Sequence, residues 1–386
     1  MSKDIEQKDL IHSEIEEELE DLEGAKDSIE EDYDEDQEED EVIEIDFKNK
    51  KVKLNMLKKR AKKAPDITEE VWKLCNKENR AMYEEYFSTQ KQLSQDTRKQ
   101  YRTCLKQFFY FVYTDLNDKP LYKVTKRDFM KFMAYLQDRE LSSSAIGLRK
   151  SCVSSLCNYV ENIVADDDEN YRNFRNFTRG MPPIPKTQTY SKEPVSLEEY
   201  ELMKKYFIQH KKYLPLAYLV TLWGLGCRRS EAIQFKTEIL DYEIPEGATY
   251  IMSHTVRGKG AGKDGKPLEY MIPLEVLDYW RLYVENRGFE SEYIFARLNE
   301  NGEPVNISRQ WSNRLCERVL SKIVGRRITN HNFKATIVTR MLESGVDMAI
   351  ISKKIAHHND IATTQSFYDL RKFEDKTKSI FDNMTI

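Results

Sequence analysis

Ile328-Thr-Asn-His331-Asn-Phe-Lys334 opens the stretch that decides the fold. An apolar helical segment follows. The stretch then continues as Ala356-His357-His358-Asn359-Asp360-Ile-Ala-Thr-Thr-Gln-Ser-Phe367-Tyr368 and ends at Leu370. It holds three of the six histidines in the chain. Imidazoles, an ammonium and a phenol in one short stretch supply acid, base and nucleophile. The same pattern also suits a helical subdomain with a polar surface, so the chemistry alone leaves both readings open.

Working outward, 386 residues allow two domains with flanking segments. A hydrophobic content of 40% with 11% aromatics is enough for ordinary cores. No apolar run reaches the ~20 residues that span a bilayer, and no secretory signal pattern opens the chain. A cytoplasmic protein is therefore expected, or a nuclear one in a eukaryotic host. The six cysteines form no C-x-x-C pair, which argues against a zinc knuckle or a disulfide framework.

The net charge of −5 averages two unlike parts. Residues 1–50 hold 23 acidic and 5 basic residues, while the remainder holds 43 acidic and 56 basic, a net of +13. A basic body suits a polyanionic partner, because neutralised phosphates release counterions. The acidic stretch is too polar to offset chain entropy and is expected to be disordered, with Ile11, Ile15 and Leu19 able to line a transient helix. The basic run Lys58-Lys59-Arg60-Ala-Lys62-Lys63 lies in segment 51–65.

Residues 66–177 read as helical. Ser94 is placed to cap a helix carrying Tyr101, Leu105, Phe108 and Val112 on one stripe. Thr125 and Asp128 form a capping pair before Phe129, Phe132, Met133 and Leu136. Ser142 opens a helix through Ile146, Val153 and Leu156. The basic residues between these stripes, Arg98, Lys99, Arg102, Lys106, Arg149 and Lys150, are candidate contacts for a duplex. The Pro-rich stretch 178–194 reads as a linker. Ser196-Leu-Glu-Glu199 is a capping box at the start of a second domain, 195–370. There Leu216–Phe235 is an apolar helical run broken at Gly224-Leu-Gly226-Cys227-Arg228-Arg229-Ser230-Glu231, where Ser230 or a neighbour caps a new helix. Two arginines at a helix start make an anion site. Strand-like Thr249–Val256 and Pro267–Leu274 flank a Gly/Lys-rich hairpin tip. Helices are expected over Glu275–Arg287 and Ser308–Gly325.

Three of these blocks together resemble the tyrosine recombinases, or phage-type integrases. Gly226-Cys-Arg228-Arg-Ser-Glu231 is similar to their first arginine box. Gly258-Lys259-Gly260 before an apolar-Pro-Leu strand is similar to their lysine turn. His331-x-x-Lys334, Leu342-Glu-Ser-Gly-Val346, His358 and Ile361-Ala-Thr-Thr-Gln resemble the box that ends in the nucleophile. The resemblance implies a mainly α fold with a small β-sheet (α+β), made of a helical core-binding (SAM-like) domain and a catalytic domain. It implies double-stranded DNA as partner, and no metal or cofactor. Tyr368 would attack a phosphodiester and become a 3′-phosphotyrosyl link. Arg228 and Lys334 would hold the non-bridging oxygens, and Lys259 would protonate the 5′-oxygen. His331 would assist proton transfer, His358 would bond the phosphate, and Glu231 would support Arg228. Residues 371–386 would dock on a neighbouring protomer in a tetramer on DNA.

The sequence departs from the family pattern in three places. Lys334 stands where arginine is usual, which keeps the charge but loses the planar fork. His357 stands where a small residue is usual. The tyrosine slot counted from His358 falls on Phe367, one residue before Tyr368, and one residue turns a helix by about 100°. Either a local insertion restores Tyr368 or the nucleophile is lost. A degenerate relative that binds DNA without cutting it therefore stays open. So does an acidic-tailed scaffold for basic partners.

Overall fold

The computed structural model describes residues 12–22, 46–47, 50–51, 67–184, 193–260, 264–358 and 360–367. The basic run at 58–63, residues 185–192 of the linker, Tyr368 and residues 371–386 lie outside the described residues, as does most of the acidic stretch.

Two large apolar clusters, with a smaller third through Ile337 and Ile351, organise the described residues. The first is drawn from Trp72 to Phe177. It is built by α2 (Glu69–Leu74), α3 (Lys77–Thr89), α4 (Gln95–Asp115), α5 (Lys126–Asp138) and α6 (Ser143–Tyr159). The helix starts follow from local chemistry. Ser94 Oγ accepts from Thr97 N at 3.2 Å, and Thr125 and Asp128 form a reciprocal capping box. Phe108, Phe129 and Phe132, all fully buried, meet edge-on or tilted at 5.2–6.2 Å between centroids.

A buried amide ties this unit together. Asn79 Nδ2 donates to Lys119 O at 3.0 Å and its Oδ1 accepts from Leu121 N at 2.7 Å. Asn79→Ala should therefore strand two buried backbone groups and cost about 1–3 kcal/mol, read as a lower urea midpoint at unchanged slope.

The second cluster centres on α8 (Tyr213–Leu225), which follows α7 (Leu197–Gln209). Helix α8 is apolar on all sides because neighbours cover all sides. Against it pack α7, α10 (Leu274–Asn286) and α12 (Asn330–Glu343). Gly226 ends α8 in the left-handed region at φ +53, and a Cβ there would lie 2.3 Å from the Ile337 side chain. The turn at Gly226 thus brings the short α9 (Arg229–Ala232) and its leading Arg228 against α12.

The expected hairpin is present but broken in two. β1 (Tyr250–Met252) pairs antiparallel with β4 (Met271–Pro273), Ile251 opposite Ile272. β2 (Val256–Gly258) pairs with β3 (Lys266–Leu268), Arg257 opposite Pro267. A second small hairpin joins β5 (Ala296–Leu298) and β6 (Pro304–Asn306). The helical run α11 starts at Arg309 and continues to Val324, where Gly325 ends it at φ 78. The chain's mainly α character with small sheets is as the sequence implied.

Two expectations need correction. Disorder over the acidic stretch does not hold for residues 12–22, which form a helix, α1. It buries Ile15, Leu19 and Leu22 in the second cluster. Glu18 pairs with Arg318 and Lys322 at 3.4 and 3.2 Å. Glu14 and Glu18 of this helix are therefore matched by bases on α11, which composition alone could not show. Ser230 does not cap α9 either. Arg228 is the cap residue, and the Glu231 carboxylate accepts from its backbone N–H at 2.8 Å.

Candidate active site

The site is assembled where the α8–α9 turn, the first turns of α12 and the segment after Ile355 converge on Glu231. Glu231 is fully buried. Its carboxylate accepts from Arg228 Nη1 at 2.9 Å, from Arg228 N and from the Tyr270 hydroxyl. Burial would raise this carboxyl. The Lys334 ammonium, then Arg228, outweigh burial and hold it below the usual carboxylate range. Tyr270, buried beside that charge, has its phenol pushed well up, first by desolvation and then by Glu231. It is a protonated donor at any working pH.

Lys334 is only 1% exposed. Its backbone lies against the α8–α9 turn, with Cα 3.4 Å from where a Cβ on Gly226 would sit. Its charge bears on Glu231, on the buried Cys227 thiol and on His357. His357 stands on a left-handed backbone at φ 53, and its ring meets the Tyr270 ring edge-on at 4.6 Å. A residue with a Cβ is strained there, which explains why a small residue suits the position. Burial, then Lys334, pushes the His357 imidazole down to about 4, so it is neutral near pH 7.

His358 is 8% exposed and tied down through one nitrogen. Its Nδ1 lies 2.7 Å from Thr364 Oγ1, which in turn donates to Ser352 Oγ at 2.9 Å. Its backbone N–H donates to Ser352 O at 2.9 Å. Thr364 of the Ile361-Ala-Thr-Thr stretch therefore fixes the imidazole ring through Nδ1, so that any phosphate contact falls to Nε2. Thr364 sits on α13 (Ile361–Phe367), and Tyr368 follows immediately, outside the described residues.

His331 is half-buried in the first turn of α12. That turn is pinned on several sides. Asn332 Oδ1 accepts from Thr329 N at 2.8 Å, Asn332 Nδ2 donates to Glu193 O at 2.8 Å, and Thr336 Oγ1 accepts from Val195 N at 2.8 Å. Lys259 follows β2 and is exposed. Its hairpin is fastened to α9 by Gln234, whose side chain bonds Arg257 N at 2.8 Å and Arg257 O at 2.9 Å. Gly258 is required here, because a Cβ would lie 2.3 Å from Leu268 Cδ1.

Arg228, Lys334 and His357 thus share one electrostatic neighbourhood, and His358 follows His357 in the chain. Lys259 stands on a hairpin fastened beside it. Sequence reasoning missed Tyr270, which lies buried between β3 and β4, and gave His357 no part.

The six helical-domain bases do not form one uniform row. Arg102 stacks on the Phe87 ring at 4.5 Å and pairs with Glu84 at 3.6 Å. Lys106 pairs with Glu69 over Trp72. Arg149 Nε donates to Gln107 at 2.9 Å, and Arg98 donates to Phe87 O. Lys99 is exposed and Lys150 half-buried. Among the described residues, an ion pair links the two halves of the chain, Arg309 to Asp96 at 2.8 Å.

A helical unit and an α+β unit with an Arg/Lys/His cluster over a buried carboxylate define a class, and the sequence comparisons agree with it. Residues 187–374 match the phage integrase family, and residues 81–166 match the N-terminal SAM-like domain of phage integrases. The chain belongs to the phage integrase family of tyrosine recombinases. It is 49% identical over 333 residues to the SPbeta prophage-derived recombinase-like protein YomM of Bacillus subtilis (strain 168), covering 86% of this chain and 99% of that one. It is 28% identical over 271 residues to the tyrosine recombinase XerA of Pyrococcus furiosus, covering 69% of this chain and 83% of that protein. Among solved structures, the XerH recombinase bound to its difH substrate shares the fold at TM-score 0.58 and 14% identity, over 82% and 99% of the two chains. The Tn1549 transposon integrase bound to transposon right-end DNA does so at 0.57 and 18%, over 77% and 96%. Among the described residues no helix is long and apolar enough to cross a membrane.

Proposed function

We propose that the chain is a site-specific DNA recombinase that cuts and rejoins strands through a 3′-phosphotyrosyl intermediate. The observation that carries this reading is the convergence of Arg228, Lys334 and His357, from separate segments, around Glu231, with His358 next in the chain. Transesterification needs preorganised cations around a phosphate, an acid for the leaving hydroxyl and a nucleophile. In this reading Arg228, braced by Glu231, holds the scissile phosphate, and His358 bonds it through Nε2. Lys259 on its hairpin protonates the 5′-oxygen, His331 assists proton transfer, and Tyr368 attacks. Lys334 acts on the same phosphate from the side of Glu231. Arg98, Lys99, Arg102, Lys106, Arg149 and Lys150 exchange their present partners for the duplex backbone. The family supports DNA as substrate. The prophage and transposon relatives favour a mobile-element role for the chain, acting on DNA in the cytoplasm. They do not favour the scaffold reading.

The test uses nicked suicide duplexes built on a site selected by binding from a random pool. The protein should form a covalent adduct that shifts in a denaturing gel, and Tyr368→Phe should abolish it. Selective DNA binding with no adduct from the wild type would leave a binding protein and sink the enzyme reading. The same complexes test assembly. Truncation after Leu370 should reduce tetramers on DNA to dimers or monomers, and unchanged tetramers would refute a docking role for residues 371–386.

A further inference from the structure

His12, Glu16 and His210 bring one ligand-capable atom each to within 4.8 Å of one another. They come from two elements far apart in sequence. His12 and Glu16 are one turn apart on α1, and His210 caps the C-terminus of α7. The two imidazole rings lie 4.5 Å apart at 38°.

Tyr206, one turn before His210, sets the protonation of both rings. Its carbonyl lies 2.8 Å from His210 Nδ1, and a carbonyl only accepts, so that nitrogen carries the hydrogen. Its hydroxyl donates to Glu16 Oε1 at 3.4 Å and lies 3.1 Å from His12 Nδ1. A phenol whose proton is given to the carboxylate can only accept from His12, so His12 Nδ1 also carries its hydrogen. Each imidazole is left with its lone pair on Nε2. Glu16 Oε2 is 3.4 Å from Lys212, which helps to hold the carboxylate in place.

Two imidazole Nε2 atoms with one carboxylate oxygen are a ligand set for zinc. Anchoring each Nδ1 to a carbonyl or hydroxyl is how proteins orient such ligands. Zinc–ligand bonds of about 2.0–2.1 Å place tetrahedral ligands about 3.4 Å apart, so small side-chain rotations close the site. We propose that His12, Glu16 and His210 bind a zinc ion, with water in the fourth position, and that the ion latches α1 onto the catalytic half of the chain. The latch would add to the burial of Ile15, Leu19 and Leu22 and fix where the acidic segment leaves the domain. The proposal uses no group of the candidate active site and does not depend on the recombinase reading.

The test is titration of the untagged, metal-free full chain with Zn2+ by calorimetry, and with Co2+ by visible absorption. One equivalent of Zn2+ should bind, and Co2+ should give the intense bands of a tetrahedral site. His12→Ala and His210→Ala should each weaken binding by about 100-fold or more, and Tyr206→Phe by about 10–100-fold. His12 is exposed, so its variant should match the wild type in thermal midpoint in EDTA. Zn2+ should also slow proteolysis between residues 22 and 67 and α1 release in the wild type alone. Absence of stoichiometric binding, or binding that survives both histidine substitutions, would overturn the proposal.

Discussion

Glu231→Ala is expected to destabilise the catalytic half by about 3–5 kcal/mol, the range for breaking a buried charge network by removing one partner. Three groups lose their acceptor at once. Arg228 loses its 2.9 Å ion pair, the first turn of α9 loses its cap, and the Tyr270 hydroxyl is left buried without its partner. Lys334 keeps a buried positive charge with its largest compensating anion gone. For a domain near 190 residues the loss corresponds to a fall of about 6–20 °C in thermal midpoint. Glu231→Gln preserves shape and some acceptor capacity, and should cost less. The pH sign follows from the depressed carboxyl. Its contribution is present above the unfolded value of about 4.5 and disappears as pH falls through the lower folded value. Glu231→Gln should lack that acid-side loss. A Glu231→Ala protein within about 1 kcal/mol of wild type would mean the cluster does not organise the site.

This network explains which parts of the molecule could be read in advance. Capping boxes at Thr125 and Ser196 are local contracts between residues three apart, so they are visible in sequence and present in the fold. The apolar stripe of α4 is equally local. Arg228 and Lys334 stood in motifs that resemble the family's, and the structure sets the charges of both on Glu231. Tyr270 was not, because its partner Glu231 is 39 residues away and nothing in the Glu269-Tyr-Met stretch announces it. His357 looked like a mere departure. Its left-handed backbone, its contact with Tyr270 and its exposure to the Lys334 charge are all products of tertiary structure. Helix α1 was hidden for the same reason. Its acidic composition argues for disorder until Arg318, Lys322 and an apolar groove on a distant part of the chain are in place. The hairpin was foreseen as one ladder. Ser253 instead turns its backbone and hydroxyl to Tyr270, splitting the strands in two and setting the Tyr270 ring towards Glu231.

Lys334→Met should slow strand cleavage by about 10²–10³-fold, the usual effect of deleting one preorganised group from an electrostatic site. The side chain is nearly isosteric and apolar, so packing against the α8–α9 turn is kept while the charge is lost. Two titrations report the same change independently of DNA. The His357 imidazole, held at about 4 by burial and then by Lys334, should rise part of the way towards its ordinary 6.5. Its folded value lies below the unfolded one, so the wild type loses stability as pH falls from about 6.5 to about 4, where the unfolded chain binds the extra proton. In the variant that window narrows. The Glu231 carboxyl should rise as well, having lost its strongest cationic neighbour. Histidine Cε1–H chemical shifts followed against pH, with His357→Gly to assign the signal, measure the first effect. Single-turnover cleavage of the suicide duplex measures the rate. Lys334→Arg separates charge from fit. It restores the cation and the two-point fork, but its larger head must enter a site only 1% exposed, so it should retain most of the rate while losing about 1–3 kcal/mol of stability. If Lys334→Met cleaves at the wild-type rate and leaves the His357 titration unmoved, Lys334 is a packing residue, and the phosphate is held without it.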